Sequence, residues 1–443
     1  MHLVEELELP LPEERLEALR QILREGRYGS SQFSRTGEVN NHVHTHYSFS
    51  PYSPAHAAFQ AASAGLEAVG SVDHDSIAAA GELKAAAALL GIGGTSGFEL
   101  RVNLTDTAVE GRRLNNPDSD NIAYIVVHGV PATAVGAVEE FLQPIRAVRL
   151  ERNRRQLDEL NRILADYDIE AIDFEREVIP LSLAREGGVM TERHILYALA
   201  GKLVTLFGRG EALLEVLGHR FGLRPSGRVS QFLADRENPH YEYDLLGILK
   251  SEFLPRFFIQ PDEREAISVY TAVEFANSIG AIPAYAYLGD VGESPTGDKK
   301  AQQFEDAFLE ILMPEVRRIG FKAVTYMPPR NSKEQLRRIQ QFASQEDLLE
   351  ISGVDINSSR QTFRCPEVMD SSFTHLNRNT WALIAHEALC SADPRYALFD
   401  PENPLTDRPL KERVERYADL AAHMDRRRPE GLIERAELLK RGS

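Results

Sequence analysis

The sequence predicts an α/β fold of parallel strand–helix units, interrupted once by a block of helices. Three observations carry that expectation. Short apolar runs alternate with helix-like segments from Val39 to about Val127, and again from about Tyr270 to Gly353, which is the rhythm of βα units. Between the two stretches, from Ala134 to about Glu265, the alternation stops and helical patterns follow one another. Several apolar runs end in His, Asp or Glu, and a parallel barrel collects its functional groups at its strand ends.

Taken in order, Pro12 to Arg24 reads as a leading helix, followed by the Gly/Ser-rich linker GRYGSSQFSRTGE. The first strand starts near Val39. A helix over Ala55 to Gly65 leads to a strand over Leu66 to Val72 and a helix over Ser76 to Leu90. GIGGTSG lacks the Lys-Ser/Thr of a phosphate-binding loop and reads as the lead-in to another strand. Asn121 to Val127 is a strand. Ala134 to Ala165 is one long helical pattern dense in Arg, Glu and Leu, with a turn-rich patch, RENPHYEYD, further on. The second half predicts helices over Tyr270 to Ile279, Ala301 to Ile319 and Lys333 to Ala343. Strands are expected over Ala281 to Ala286, Lys322 to Tyr326 and Leu348 to Gly353. After Ser391 come a loop and a charged helix from Lys411 to about Arg427. The expected divisions are an N-terminal helical extension (1–37), the α/β domain in two parts (38–133 and 266–390), a helical insertion (134–265) and a C-terminal helical tail (391–443).

The bulk properties narrow the classes of function. A chain of 443 residues exceeds the usual single-core size, so one large domain with insertions is expected. No run of apolar residues is long enough to span a membrane, and the acidic N-terminus lacks an apolar signal core. Two cysteines, Cys365 and Cys390, point to a reducing compartment, hence a cytoplasmic protein. A formal charge of -17 argues against nucleic acid as a partner, while leaving room for a small phosphorylated substrate at a local metal cluster.

Five apolar runs end in residue types that ligate metals. HVHTH places His42, His44 and His46 at alternate positions, on one face of an extended segment. LEAVGSV ends in Asp73-His74-Asp75, GIGGTSGF in Glu99, NIAYIVV in His128 and LLEISGV in Asp355. A lone histidine after a strand is usually a polar loop residue; the repeated placement is what points to a metal site. Imidazole with carboxylate suits Zn, Mn or Fe better than Ca or Mg. Glu99 could bridge two ions, and two close ions can make a hydroxide and clamp a phosphoryl or acyl oxygen. Asp75 is expected to cap the Ser76 helix and Asp73 to orient a ligating imidazole. IAHEAL, around His386, lacks the second His of HExxH and reads as helix surface. No GxSxG elbow supports a serine hydrolase. His56, His219, His240, His375 and His423 show no partner pattern, and Cys365 lies just after the last strand.

HVHTHYS followed by VDHDS, GFEL and VVHGV resembles the PHP (polymerase and histidinol phosphatase) domain, whose motifs run H-x-H-T…S, T-D-H, G-x-E, a strand-end His, A-H-P and G-S-D-x-H. The resemblance runs from about Glu38 to Arg364 and is nearest to the branch of small phosphoesterases with a helical insertion. RLERNRRQLDELNRIL and TERHILYAL, similar to that branch's R-P-H-I-A-x-A-L, both lie in the insertion. The resemblance implies a distorted (β/α)7 TIM-like barrel holding up to three divalent transition metal ions. One ion would take His42, His44, Glu99 and Asp355, a second Glu99 and His128, and a third His46 and His74. Catalytic roles would fall to Asp73 and His74 and, reaching from the insertion toward a substrate phosphate, Arg193 and His194. Two positions depart from the pattern: Tyr287 stands where the second ion expects a His, and Asn357 where the third expects one. One to three ions per chain are therefore expected. The implied activity is phosphoester hydrolysis of a small metabolite or nucleotide through metal-activated water. The alternatives are a non-phosphatase metal-dependent hydrolase or lyase, or a catalytically reduced binding protein.

Overall fold

A computed structural model of the chain describes residues 5–26, 34–116, 118–225, 227–290 and 303–439. Most of the expected Gly/Ser-rich linker lies outside the described residues. So do the first residues of the N-terminal extension, the start of the helix expected from Ala301, and the end of the tail.

Helix α1 (Pro12–Arg24) has proline at its start, Glu13 and Glu14 in its first turn and Arg24 in its last, an order that suits the fixed φ of proline and the helix dipole. The barrel begins with β1 (Val39–Val43), α2 (Pro54–Ser63), β2 (Ala68–His74), α3 (Ala80–Leu90), β3 (Gly93–Asn103) and β4 (Ile122–His128). The helices α4 (Val135–Ala165), α5 (Glu192–Phe207), α6 (Glu211–His219), α7 (Gly227–Ala234) and α8 (Tyr241–Ile248) follow. The sheet resumes with the short β5 (Ile267–Ser268), then α9 (Val269–Ser278), β6 (Ile282–Tyr287), α10 (Leu309–Ile319), β7 (Ala323–Tyr326), α11 (Lys333–Gln345) and β8 (Leu349–Ser352). Helices α12 (Thr374–Ala392) and α13 (Leu410–Ala422) close the order.

The strands are ordered β1-β2-β3-β4-β6-β7-β8, with β5 against β3. The ring is closed beyond β8 by a parallel bridge between Val43 and Ile356. His44 N donates to Ile356 O at 2.9 Å, and Ile356 N to His42 O at 3.1 Å. The result is a nearly closed seven-stranded TIM-like barrel. The expectation of uniformly parallel strands fails at β4, which runs antiparallel to both β3 and β6. A parallel pair needs a crossover, usually a helix. The β3–β4 connection, residues 104–121, forms no helix among the described residues, so the chain turns back on itself.

Outward-facing strand residues such as Phe98, Leu100, Ile125, Tyr285 and Val324 pack with the helix layer. At the opposite end from the site, Val39, Ala68, Ile282, Ala323 and Leu349 pack against Trp381, Leu383 and Ile384 of α12. Helix α12 therefore lies against the N-terminal ends of the strands, and the sequence reading missed it as an element. His386, expected on a helix surface, is instead buried on α12 and accepts Leu398 N at 2.9 Å. Glu387 fixes this helix to the sheet by accepting from Thr95 Oγ1 at 2.7 Å, Ser96 N at 2.8 Å and Lys84 Nζ at 2.6 Å.

The first half of α4 joins the barrel's outer layer through Val138, Leu142 and Ile145. Its second half, with Leu157, Leu160 and Leu164, enters a separate apolar cluster formed by the helices between β4 and β5. Among the described residues no helix is long and apolar enough to cross a membrane.

Candidate metal centre

Two donor triads meet where β1 and β2 end, beside Glu99 within β3 and after β8: His42, His44 and Asp355, and His44, His74 and Glu99. Within each triad the ligand atoms lie within 4.8 Å of one another. His44 Nε2 is 3.3 Å from Asp355 Oδ1 and 3.7 Å from Glu99 Oε2. His42 Nε2 is 4.0 Å from Glu99 Oε1. His74 Nδ1 is 2.9 Å from Glu99 Oε2, without the angle of a hydrogen bond. Ligands about 2.0–2.1 Å from a tetrahedral ion stand roughly 3.3 Å apart, so these spacings suit donors around a cation. The approach of β1 to the end of β8 depends on Gly353, where a Cβ would lie 2.5 Å from His42 Cβ.

Burial favours the neutral, ligating form of His42 and His74. It lowers the pKa of His42 and drives that of His74 well below the ordinary value. Burial also raises Glu99, because a carboxylate loses hydration there. Burial works in the same direction on Asp355, but its hydrogen bond from His44 and the nearby His42 and Arg193 hold it well below the carboxylate range. Burial disfavours a charged His44, yet its bond to Asp355 raises its pKa. Metal binding requires neutral imidazole and ionised carboxylate.

Asp73, expected to be catalytic, is 1% exposed and turned away from the donors. It accepts from Thr45 N and Thr45 Oγ1, each at 2.6 Å, and from Ser48 Oγ at 2.7 Å. These bonds fold the chain into a turn just after His44, and Ser48 Oγ lies 3.4 Å from His44 Nδ1. The turn also ends the alternation that the HVHTH pattern suggested. His46 leaves the cluster, its Nδ1 lying 3.9 Å from Glu8 Oε2, while His74 stands with Glu99 rather than with His46. Asp75 does not cap the following helix, which begins after Ala79 without a side-chain cap; Asp75 accepts from Arg149 Nη1 at 2.6 Å instead.

His128 ends its strand but not at this face, because β4 is reversed: it pairs with Gly97, whereas Glu99 pairs with Val126. Its ring is buried, and burial lowers its pKa to about 3. Tyr287 packs in the outer layer with its hydroxyl donating to Asp306 Oδ1. Its neighbour Ala286 lines the cavity and carries no donor, so the inward face of β6 offers nothing in place of the expected His. Asn357 accepts from Arg193 Nη1 at 2.9 Å. Cys365 is buried, its thiol pushed up to about 12 by burial, so it is protonated and inert.

A cavity of about 150 Å³ opens over the cluster. It is lined by His42, His74, Glu99 and Asp355 and by Arg193, Leu196, Lys250, Leu254 and Phe258 of the helical block. Arg193 thus reaches the cavity from the start of α5. His194 does not. It accepts Thr191 N at 2.9 Å as part of the α5 capping box, and burial keeps it neutral, with a pKa of about 3.

Along the cavity wall the helical block is fastened to the barrel by buried charges. Arg101 donates to Glu192 and Glu265, Arg149 to Asp75 and Glu192, and Arg152 to Glu192 and Glu265. Three guanidiniums thus face three carboxylates, and the formal charges cancel. Although burial opposes ionisation, Arg101, Arg152 and Arg149 hold Glu192 well below the usual range. Sequence reasoning missed this network and also Tyr124, which lines the cavity.

Fold and site together define a barrel protein with a histidine–carboxylate cluster that could hold a metal ion. No protein-family model and no curated protein matches the chain. Solved structures do. A Bifidobacterium adolescentis protein described as a candidate metal-dependent phosphoesterase aligns with a TM-score of 0.49 and 17% identity, over 75% of this chain and 94% of that one. An amidohydrolase from Chromobacterium violaceum, with sulfate bound and no metal, aligns with a TM-score of 0.47 and 18% identity, over 73% of this chain and 89% of that one.

Proposed function

We propose that the chain is a PHP-type metal-dependent hydrolase that cleaves small phosphate esters. The supporting observation is that the donors His42, His74, Glu99 and Asp355, grouped with His44, line one cavity together with Arg193. A divalent ion held by these donors supplies a Lewis acid that lowers the pKa of a water and offsets charge on a phosphoryl oxygen. The chain's own residues do the rest. Arg193 binds the anion, since guanidinium pairs bidentately with phosphate. Leu196, Leu254 and Phe258 wall the cavity and exclude bulk water. Asp73, through Thr45 and Ser48, holds the turn that aims His44. The two free, buried cysteines suit a reducing, cytoplasmic setting.

The test is hydrolysis of an aryl phosphate by protein reloaded with Mn, Zn or Fe, with and without Arg193→Ala. Metal-dependent turnover with a raised KM in the variant is expected; no turnover with any of these ions would count against the reading. A second reading, hydrolysis of a non-phosphate substrate in the same barrel, is favoured by one observation: Tyr287 and Asn357 face other partners, so the donors gather around a single shared centre. Metal-dependent cleavage of a carboxylic ester or amide, with phosphate esters inert, would select it.

A further inference from the structure

Because β4 runs against its neighbours, its first residues, and not its last, reach the face of the barrel that carries the donors. Arg101 pairs with Tyr124, Glu99 with Val126 and Gly97 with His128. Side chains two apart on a strand share a face, so Tyr124 stands on the same face as Glu99, one step nearer the cavity mouth, while His128 lies one step deeper. The Tyr124 ring is 5.5 Å from the His74 ring, centroid to centroid. Both line the cavity.

Tyr124 is held on three sides. Its backbone N donates to Asn115 Oδ1 at 2.8 Å, and its carbonyl accepts from Asn115 Nδ2 at 2.8 Å. Asn115 Nδ2 also reaches Ala286 O, just past the last β4–β6 ladder pair, Ile125 with Tyr285. The phenol oxygen accepts from Arg101 Nε at 2.9 Å, and the Nη groups of Arg101 are committed to Glu192 and Glu265. With its oxygen occupied as an acceptor, the phenol is left to donate. Among the described residues its O–H meets no acceptor, so the hydrogen is free for a ligand in the cavity.

We infer that Tyr124 is a substrate-contacting residue, whose O–H donates to an oxygen of an anion held beside His74 and Glu99 in the cavity that Arg193 also lines. The inference rests on the phosphate-ester reading and adds a residue that strand direction, rather than any motif, brings to the site. Arg101 polarises the phenol, and because its own charge is balanced by Glu192 and Glu265 the donor adds no net charge to the cavity. A hydrogen bond to a charged acceptor is worth more than a neutral one.

The test is Tyr124→Phe, which keeps the ring against His74. Calorimetric titration of the Mn-loaded protein with inorganic phosphate is expected to give a Kd roughly ten-fold weaker than wild type. KM for an aryl phosphate should rise by a similar factor. Metal affinity, measured by chelator competition, should not move; Tm should fall modestly, because Arg101 Nε loses its acceptor, whereas a merely structural role would lower Tm without weakening phosphate binding at saturating metal. Tyr124→Gln, which restores a donor, should recover part of the lost phosphate affinity. A wild-type chain that binds phosphate no better than Tyr124→Phe does would overturn the inference alone. A wild-type chain that neither binds phosphate nor cleaves any phosphate ester would overturn the reading beneath it and the inference together.

Discussion

Asn357 joins Asp355 to Arg193. Its Nδ2 donates to Asp355 Oδ1 at 2.6 Å, and its Oδ1 accepts from Arg193 Nη1 at 2.9 Å. A neutral amide thus links a donor carboxylate of the barrel to a guanidinium of the helical block, at the position where the family resemblance led one to expect a histidine.

Replacing this link should separate binding from turnover. In Asn357→Leu the guanidinium loses its anchor, and KM for an aryl phosphate is expected to rise about ten-fold, the usual value of a charged hydrogen bond, with kcat much less affected. Steady-state kinetics reads the split; an unchanged KM would mean that other groups hold Arg193. Asn357→His would place an imidazole beside Asp355, and elemental analysis should then find more metal retained per chain.

Glu99 stands within reach of three imidazoles, 2.9 Å from His74, 3.7 Å from His44 and 4.0 Å from His42. Glu99→Gln is expected to weaken metal binding by more than the roughly 10–100-fold that loss of an outer hydrogen-bond partner costs. Because burial opposes this carboxylate's charge, the metal-free variant should melt higher than metal-free wild type at pH 8. Thermal melts with and without chelator check both halves; a metal-free variant that melts lower would show that the carboxylate is structurally needed.

Glu305 sets a separate pH dependence. It is fully buried; Oε1 accepts Leu288 N at 2.7 Å and Oε2 has no partner among the described residues. Burial raises its pKa from 4.5 to about 7. The native state therefore holds a proton that the unfolded chain has lost across that window. This contribution is fully present below pH 4.5 and disappears as pH rises through about 7, at most about 3 kcal/mol. Glu305→Gln keeps the acceptor for Leu288 and should be more stable than wild type at pH 8, with the difference shrinking toward pH 4. Urea denaturation at several pH values measures it; a constant difference would contradict the assignment.

Arg149 bonds Asp75 at 2.6 Å and Glu192 at 3.2 Å, and all three are buried. Arg149→Met would leave those carboxylates short of a partner, a loss of about 3–5 kcal/mol for a broken buried pair. Urea unfolding should show it. Because Asp75 follows His74 directly, metal affinity should fall as well; stability lost with metal affinity intact would mean that the network does not position His74.

Much of this was legible in the sequence where the signal is local. Helix α1 has the expected bounds, because proline, acidic residues and arginine mark its ends. Strand β2 ends at His74 and β8 stops shortly before Asp355, where apolar runs stop, whereas β3 runs on past Glu99 to Asn103. Direction is not local: NIAYIVV has the same composition whichever way it runs, so His128 was read as a strand end on the active face and Tyr124 was passed over. Helix α12 was missed because residues 379–387 are buried without a break, leaving no polar face to set a helical period. The extended reading of HVHTH lost His46 because the bonds of Asp73 to Thr45 and Ser48, residues far apart in sequence, bend the chain after His44. The outward turn of Tyr287 depends likewise on a distant partner, Asp306.

The metal content of the purified protein bears most directly on the site. Protein prepared without chelator, supplemented with Mn, Fe and Zn in turn and dialysed, should retain at least one transition ion per chain by elemental analysis, with His44→Ala, which removes the donor shared by both triads, retaining far less. Wild-type protein that retains no ion under any of these conditions, or a His44→Ala variant that retains as much as wild type, would contradict the assignment of His42, His44, His74, Glu99 and Asp355 as a metal centre.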